Sequence, residues 1–156
     1  PLGAAGGIKK FEGKLENLFY FVYGDTLSLI DYSKMYETFR KFPRAIGMQR
    51  VEPTDTYADA DVAELDSNKR FVKIHPKPHT GRYPNSYRLR GVFVVNKRIL
   101  RYIPDGKPCD LGGQLLPQVI TAGEEFYGYE CGDYSKGIDT LEKLEEVEKY
   151  LTKHRQ

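Results

Sequence analysis

The feature that most constrains the fold is the run at residues 18–25, in which six apolar or aromatic residues precede Gly24 and Asp25. A short uninterrupted run of this composition predicts a strand buried on both faces of a parallel sheet. Gly24 permits a tight turn, and Asp25 then lies at the carboxyl end of the strand, where open α/β sheets bind ligands. A carboxylate there suits Mg²⁺. The alternative is that Asp25 caps a turn or the following helix, and this stretch alone leaves both interpretations open.

The composition is that of a globular protein. The 156 residues are enough for a single domain over residues 1–156, and the net charge of +2 does not argue for a nucleic-acid or membrane partner. The sequence shows no apolar window of membrane-spanning length and no opening signal peptide. Its two cysteines, Cys109 and Cys131, suggest neither a disulfide framework nor a zinc site. We therefore expect a reduced, cytoplasmic protein.

The rest of the chain predicts alternating helices and strands. The last helix, starting at Asp139 or Thr140, carries an apolar stripe of Leu141, Leu144, Val147 and Leu151. Helices are expected at residues 8–15, 31–42, 97–103, 115–120 and 140–151, and strands at residues 44–51, 61–65, 71–74, 91–95 and 125–131.

Two further stretches carry candidate chemistry. Glycines at positions 3, 6 and 7 permit close approach of the backbone to a ligand, although the stretch is not a P-loop and a flexible leader is the alternative. Around Lys77, two prolines fix an extended backbone, and a lysine held in this way can neutralise phosphate charge. The same prolines exclude the helix on which His75 and His79 would suit a metal.

The order and spacing of these segments resemble the sugar-1-phosphate nucleotidyltransferase family. Residues 75–79, His-Pro-Lys-Pro-His, are similar to a segment of the heptose- and mannose-1-phosphate guanylyltransferase-like members. The resemblance extends over nearly the whole chain and rests on residues 1–6, 23–25, 77–78, 91–94, 103–104, 110–111, 116–117, 123 and 134–142.

The resemblance implies a three-layer α/β/α fold with a mixed, mostly parallel, Rossmann-like sheet. It also implies transfer of a nucleotidyl group from a nucleoside triphosphate to a sugar 1-phosphate, with release of pyrophosphate. By the same resemblance, Leu2, Gly3 and Gly6 contact the base, Asp25 is a Mg²⁺ ligand, and Lys77 contacts phosphate.

Three departures from the family pattern qualify this interpretation. The Gly-rich amino-terminal loop is missing, so we expect an amino-terminally truncated domain that does not turn over substrate alone. Leu89 stands where a sugar-contacting amide is expected. Gly137 stands at the position of the second metal ligand, and Asp139 follows two residues later, either as a replacement ligand or as a helix cap.

Two hypotheses follow. In the first, the chain is the carboxyl-terminal part of a Mg²⁺-dependent sugar nucleotidyltransferase, with a homo-oligomer or a partner chain left open as the source of the loop. In the second, it is a non-catalytic relative that binds a sugar phosphate or nucleotide as a regulatory or assembly module.

Overall fold

The computed structural model describes residues 1–55, 60–79, 81–83 and 85–154. Short 3₁₀ segments span Glu12–Lys14 and Lys97–Tyr102, and a π-helical segment, Leu111–Leu115, leads into the third helix. The helices are α1 (Gly3–Lys9), α2 (Tyr32–Phe39), α3 (Leu116–Thr121) and α4 (Leu141–Lys153); the strands are β1 (Leu18–Val22), β2 (Thr26–Ser28), β3 (Ala45–Pro53), β4 (Val62–Leu65), β5 (Phe71–His75), β6 (Ser86–Asn96), β7 (Glu125–Glu130) and β8 (Ser135–Gly137).

The main sheet is mixed, as predicted, with strand order β5-β4-β6-β3-β7 and β1 also paired to β6. Among the described pairings only β3–β7 is parallel, so hydrogen-bonded neighbours are mostly antiparallel rather than mostly parallel. The reason is the long strand β6, which runs antiparallel to β1, β3 and β4. Those three strands and β7 consequently all run in one direction.

The three-layer α/β/α arrangement is confirmed. Side chains alternate across β6, with Phe93 and Val95 in one apolar cluster and Val92 and Val94 in the other, as the period of a strand requires. The first cluster includes α1 and α3, and the second includes α2. The sheet is therefore covered by helices on both faces.

Strand β1 is only half-buried, so the prediction of a strand buried on both faces is wrong. Among the described strands it pairs with β6 alone. Its aromatic rings still pack on both faces of the sheet, since Phe21 lies 5.5 Å from Phe93 and Tyr20 lies 5.2 Å from Tyr32, centroid to centroid.

The amino-terminal helix begins at Gly3 rather than at residue 8, and the flexible-leader alternative is wrong. The Gly6 amide donates to the Cys109 carbonyl at 3.1 Å, and the Cys109 amide donates to the Leu2 carbonyl at 2.9 Å. Gly3 has a φ of +68°, and a Cβ there would lie 2.6 Å from the Cys109 oxygen. These glycines therefore allow α1 to pack directly on the backbone around Cys109.

The last helix is correctly placed, but its apolar stripe is not a uniform contact face. Val147 is buried, whereas Leu141 is 76% exposed and Leu144 and Leu151 are each 38% exposed. The cap is Thr140, whose hydroxyl accepts from the Lys143 amide. None of the helices within the described ranges is both long and apolar enough to cross a membrane.

Candidate active site

A cleft of about 280 Å³ opens in the middle of the sheet. Strands β1 and β4 both pair with β6, β1 from Val92 onward and β4 up to Arg88. The cleft lies between the facing ends of these two strands, beside residues 89–91 of β6. Among the residues that the structure describes, three acidic and five basic side chains line the cleft: Asp25, Asp61, Asp139, Lys77, Arg88, Arg90, Lys136 and Lys143. The surplus of positive charge favours an anionic ligand.

The turn after β1 places Asp25 on the lining of this cleft. The Tyr23 amide donates to the Gly91 carbonyl at 2.8 Å, which ties the end of β1 to β6. The Asp25 carbonyl accepts from the Ile138 amide at 2.7 Å, and Thr26 pairs with Gly137 in the small β2–β8 sheet. Two segments more than 100 residues apart in sequence therefore lie side by side.

Asp139 lies next to Gly137 on the same wall. A Cβ built on Gly137 would be 4.0 Å from Asp139 Oδ1 and 4.0 Å from the Asp25 carbonyl oxygen. The Asp139 carboxylate therefore lies close to the space that a side chain at position 137 would enter. Asp139 accepts from Lys143 Nζ at 2.8 Å, and this bond, with its own backbone amide and the nearby Lys77, lowers the pKa of the carboxyl. Since Thr140 caps α4, the capping interpretation of Asp139 is wrong.

Lys77 is held at the cleft by Asp61. The Asp61 carboxylate accepts from the Lys77 backbone amide at 3.1 Å. A Cβ on Gly112 would lie only 2.0 Å from Asp61 Oδ2, so the π-helical segment approaches this carboxylate through a glycine. Burial, followed by the charges of Asp61, Asp110 and Asp25, raises the pKa of the neighbouring Tyr23 to about 12.

The two histidines of the Lys77 segment make other contacts. His75 Nε2 lies 2.6 Å from Glu64 Oε1, and the ring stacks on Tyr83 at 3.6 Å. His79 Nε2 lies 2.7 Å from the Ala60 carbonyl oxygen. Neither histidine lines the cleft.

The donor chemistry of the cleft fits a hard divalent cation. Mg²⁺ is held by one or two carboxylates and completes its shell with water and substrate phosphate. Asp25 and Asp139 supply two such carboxylates on one wall. The described residues hold no group of three or more His, Cys, Asp or Glu side chains placed to bind a metal.

The residues predicted to bind the base are not brought into this cleft. Leu2, Gly3 and Gly6 are absent from its described lining and pack against residues 107–110 instead. Leu111, immediately beyond, does line the cleft. A base-binding role for Leu2, Gly3 and Gly6 stays a prediction.

Sequence reasoning missed several lining residues, among them Gln49, Asp61 and Arg90. Arg90 Nε donates to Glu52 at 2.8 Å, and Glu52 also pairs with Arg50 at 2.6 Å. The available signal was the pair of polar residues, Gln49 and Arg50, between the apolar residues Met48 and Val51 of strand β3. Polar side chains at buried positions indicate a contact that the strand pattern alone does not explain.

The fold and the cleft together define an α/β domain whose central sheet carries a positively charged, ligand-sized cleft. No protein-family model matches the chain. It is 28% identical over 130 residues to UTP–glucose-1-phosphate uridylyltransferase of Synechocystis sp., covering 81% of this chain and 34% of that protein. It is 28% identical over 144 residues to mannose-1-phosphate guanylyltransferase of Mycobacterium tuberculosis, covering 91% of this chain and 39% of that protein.

Among solved structures, HddC from Yersinia pseudotuberculosis superposes with a TM-score of 0.76 at 22% identity, covering 96% of this chain and 63% of HddC. The two curated relatives confirm the resemblance to sugar-1-phosphate nucleotidyltransferases that the motifs predicted, and HddC shares the fold. The chain spans between 34% and 39% of the length of the two curated relatives.

Proposed function

We propose that this chain contributes to the transfer of a nucleotidyl group from a nucleoside triphosphate to a sugar 1-phosphate. The products are a nucleoside diphosphate sugar and pyrophosphate. The observation that carries the proposal is the convergence of Asp25, Lys77 and Asp139 on one positively charged cleft, together with the similarity to two enzymes named for this chemistry. Nothing in the described residues favours the non-catalytic alternative.

The chemistry requires charge compensation more than a protein nucleophile. An oxygen of the sugar phosphate forms a bond to the α-phosphorus, and the bond from that phosphorus to the bridging oxygen of pyrophosphate breaks. Several negative charges are brought together in this step. Lys77, positioned through its amide by Asp61, offers an ammonium group for these phosphates.

Asp25 and Asp139 are the proposed Mg²⁺ ligands. A bound Mg²⁺ would supply charge neutralisation and orientation of the phosphates. The Asp139 carboxylate is ionised at neutral pH, which is the form that a cation binds, and the hydrogen bond from Lys143 lowers its pKa further. Lys143 holds the same carboxylate at 2.8 Å, so this lysine either shares the oxygen or turns towards a ligand phosphate.

The test is a titration with Mg²⁺, or with Mn²⁺ as a spectroscopic substitute, in the presence of a sugar 1-phosphate. Metal affinity is followed in this chain, and pyrophosphate release from added nucleoside triphosphate is followed in a protein completed, by fusion or reconstitution, with the Gly-rich loop. We expect Asp139→Asn to lower the affinity for the metal roughly tenfold or more, and Asp25→Asn to lower it further. Folding stability should change little, because asparagine keeps the size of each side chain.

Asp105→Asn is the matched control, since Asp105 is 91% exposed and does not line the cleft. Unchanged metal dependence in Asp25→Asn would remove the metal assignment altogether. Unchanged dependence in Asp139→Asn alone would leave Asp139 as the partner of Lys143 and nothing more.

Location and assembly belong to the same proposal. Nucleoside triphosphates and sugar phosphates are cytoplasmic metabolites, so we propose a cytoplasmic location. A homo-oligomer, or a partner chain that supplies a Gly-rich loop for the triphosphate, stays a prediction that size measurement with and without nucleotide can test.

A further inference from the structure

Gln49 is a buried amide on the floor of the cleft. Only 3% of the residue is exposed, and it lines the cleft beside Arg90 and Gly91. Its Nε2 donates to the Arg90 carbonyl at 2.9 Å. Its Oε1 is buried and has no hydrogen-bond partner in the part of the chain that the structure describes.

A β-bulge explains why the nitrogen of this amide is already used in a hydrogen bond to the backbone. Gln49 pairs with Phe93 and Val51 pairs with Leu89, so β6 has two more residues than β3 between these pairs. The Arg90 carbonyl falls in this irregular stretch and is met by the Gln49 side chain. Turning the amide over would bring two carbonyl oxygens together, so Oε1 is fixed as the end that faces away from Arg90.

A fixed, buried acceptor without a donor is unfavourable, and most such groups in proteins are satisfied. A neutral hydroxyl or amide donor suits Oε1 better than a phosphate does, because an ionised phosphate oxygen carries no proton to donate. The cations Lys136 and Lys143 lie nearer the solvent, with side chains 30% and 29% exposed. Beside Gln49, the guanidinium of Arg90 is already paired with Glu52, so the buried oxygen lies next to a neutralised ion pair while Lys136 and Lys143 stay closer to solvent.

We propose that Gln49 Oε1 accepts a hydrogen bond from a hydroxyl group of the sugar, while the sugar's phosphate is held by the cations nearer the mouth. Gln49 is then a specificity-determining contact for the hydroxylated end of the ligand. This inference rests on the proposed function, because it takes a sugar 1-phosphate as the occupant of the cleft.

The experiment compares the unaltered chain with Gln49→Met, which matches glutamine in length and removes the acceptor. Calorimetry measures the affinities of glucose 1-phosphate, mannose 1-phosphate and inorganic phosphate. We expect Gln49→Met to lower the affinity for at least one sugar 1-phosphate by up to about tenfold, which is the scale of one neutral hydrogen bond. The affinity for inorganic phosphate should not change. Inorganic phosphate is the internal control, since it has no hydroxyl to offer Gln49.

Monodeoxy analogues of the sugar that binds complete the test and need no variant that could fold poorly. The analogue that lacks the bonded hydroxyl should bind the unaltered chain as weakly as the parent sugar binds Gln49→Met, and should lose nothing more in that variant. Equal losses for sugar phosphate and inorganic phosphate would show that Gln49 only supports the bulge. If every deoxy analogue bound undiminished, the inference about Gln49 would be overturned while the proposed function stood. If neither sugar 1-phosphate bound the unaltered chain, both the inference and the proposed function would be overturned.

Discussion

Tyr23 is the residue whose ionisation reports most directly on the cleft. Burial and three nearby aspartates raise its pKa from 10.0 to about 12. The folded state therefore keeps the phenol protonated where the unfolded state has lost the proton. The stability that this provides is complete below pH 10 and is lost as the pH rises from 10 towards 12.

We expect Tyr23→Phe to make the free energy of unfolding less dependent on pH across that window. Ultraviolet titration of phenolate absorbance should lose one late-titrating group at the same time. Tyr36→Phe is the control, because Tyr36 is 38% exposed and lies outside the cleft. If Tyr23→Phe left both the alkaline stability profile and the phenolate titration unchanged, the assigned environment of Tyr23 would be wrong.

Individual residues also show where sequence reasoning succeeds. Asp25 and Lys77 were predictable because a glycine after an apolar run marks a turn at the end of a strand and a pair of prolines restricts the local backbone. The structure brings both residues to one cleft. Asp61 was not predictable, because its contacts join it to the Lys77 amide and to the backbone at Gly112, far along the chain. Such pairings depend on the register of the sheet, which the local pattern does not encode.

Among the secondary-structure elements, α1 provides a matched pair of glycines. A Cβ on Gly6 would lie 2.9 Å from the Lys107 carbonyl oxygen, whereas a Cβ on Gly7 would meet no atom within 4 Å. We expect Gly7→Ala to stabilise the folded chain by about 0.5–1 kcal/mol, because alanine reduces the conformational freedom of the unfolded chain. Gly6→Ala should destabilise it by about 1–3 kcal/mol through the clash. Thermal and urea unfolding of the two variants measure the difference, and equal effects would contradict the packing of α1 on residues 107–110.

The helices and strands themselves were predicted better than their burial and their packing contacts. The aromatic and valine content of residues 18–22 gave β1 correctly, but its burial depends on how many strands lie beside it. The spacing of apolar residues likewise gave α4, yet of its stripe only Val147 is buried. A periodic pattern indicates an element and its apolar side, whereas the extent of contact is decided by neighbours that are distant in sequence.

At the scale of the whole molecule, one buried cation connects the sheet to the wall of the cleft. Arg50 is 1% exposed. Its guanidinium donates to the carbonyl oxygens of Val51 and Asp133, each at 3.0 Å, and pairs with Glu52 at 2.6 Å. Glu52 pairs in turn with Arg90 in the cleft. The loop that contains Asp133 leads directly to β8 and then to Asp139, so Arg50 supports one of the two proposed metal ligands from a distance.

The prediction at this scale is that Arg50→Met loosens that loop as well as the fold. Removing one partner of a buried ion pair costs about 3–5 kcal/mol, and the lower end applies here because Glu52 keeps Arg90 as a partner. Arg44→Met is the matched control: Arg44 pairs with Glu125 at 2.7 Å, but its side chain is 85% exposed, so its loss should change stability by less than about 1 kcal/mol. Urea unfolding measures both losses, and Mn²⁺ affinity measured below the unfolding transition should fall in Arg50→Met but not in Arg44→Met. If Arg50→Met lost stability and kept full Mn²⁺ affinity, Arg50 would support the fold without positioning Asp139, because the loop would then hold its place through the β2–β8 pairing alone.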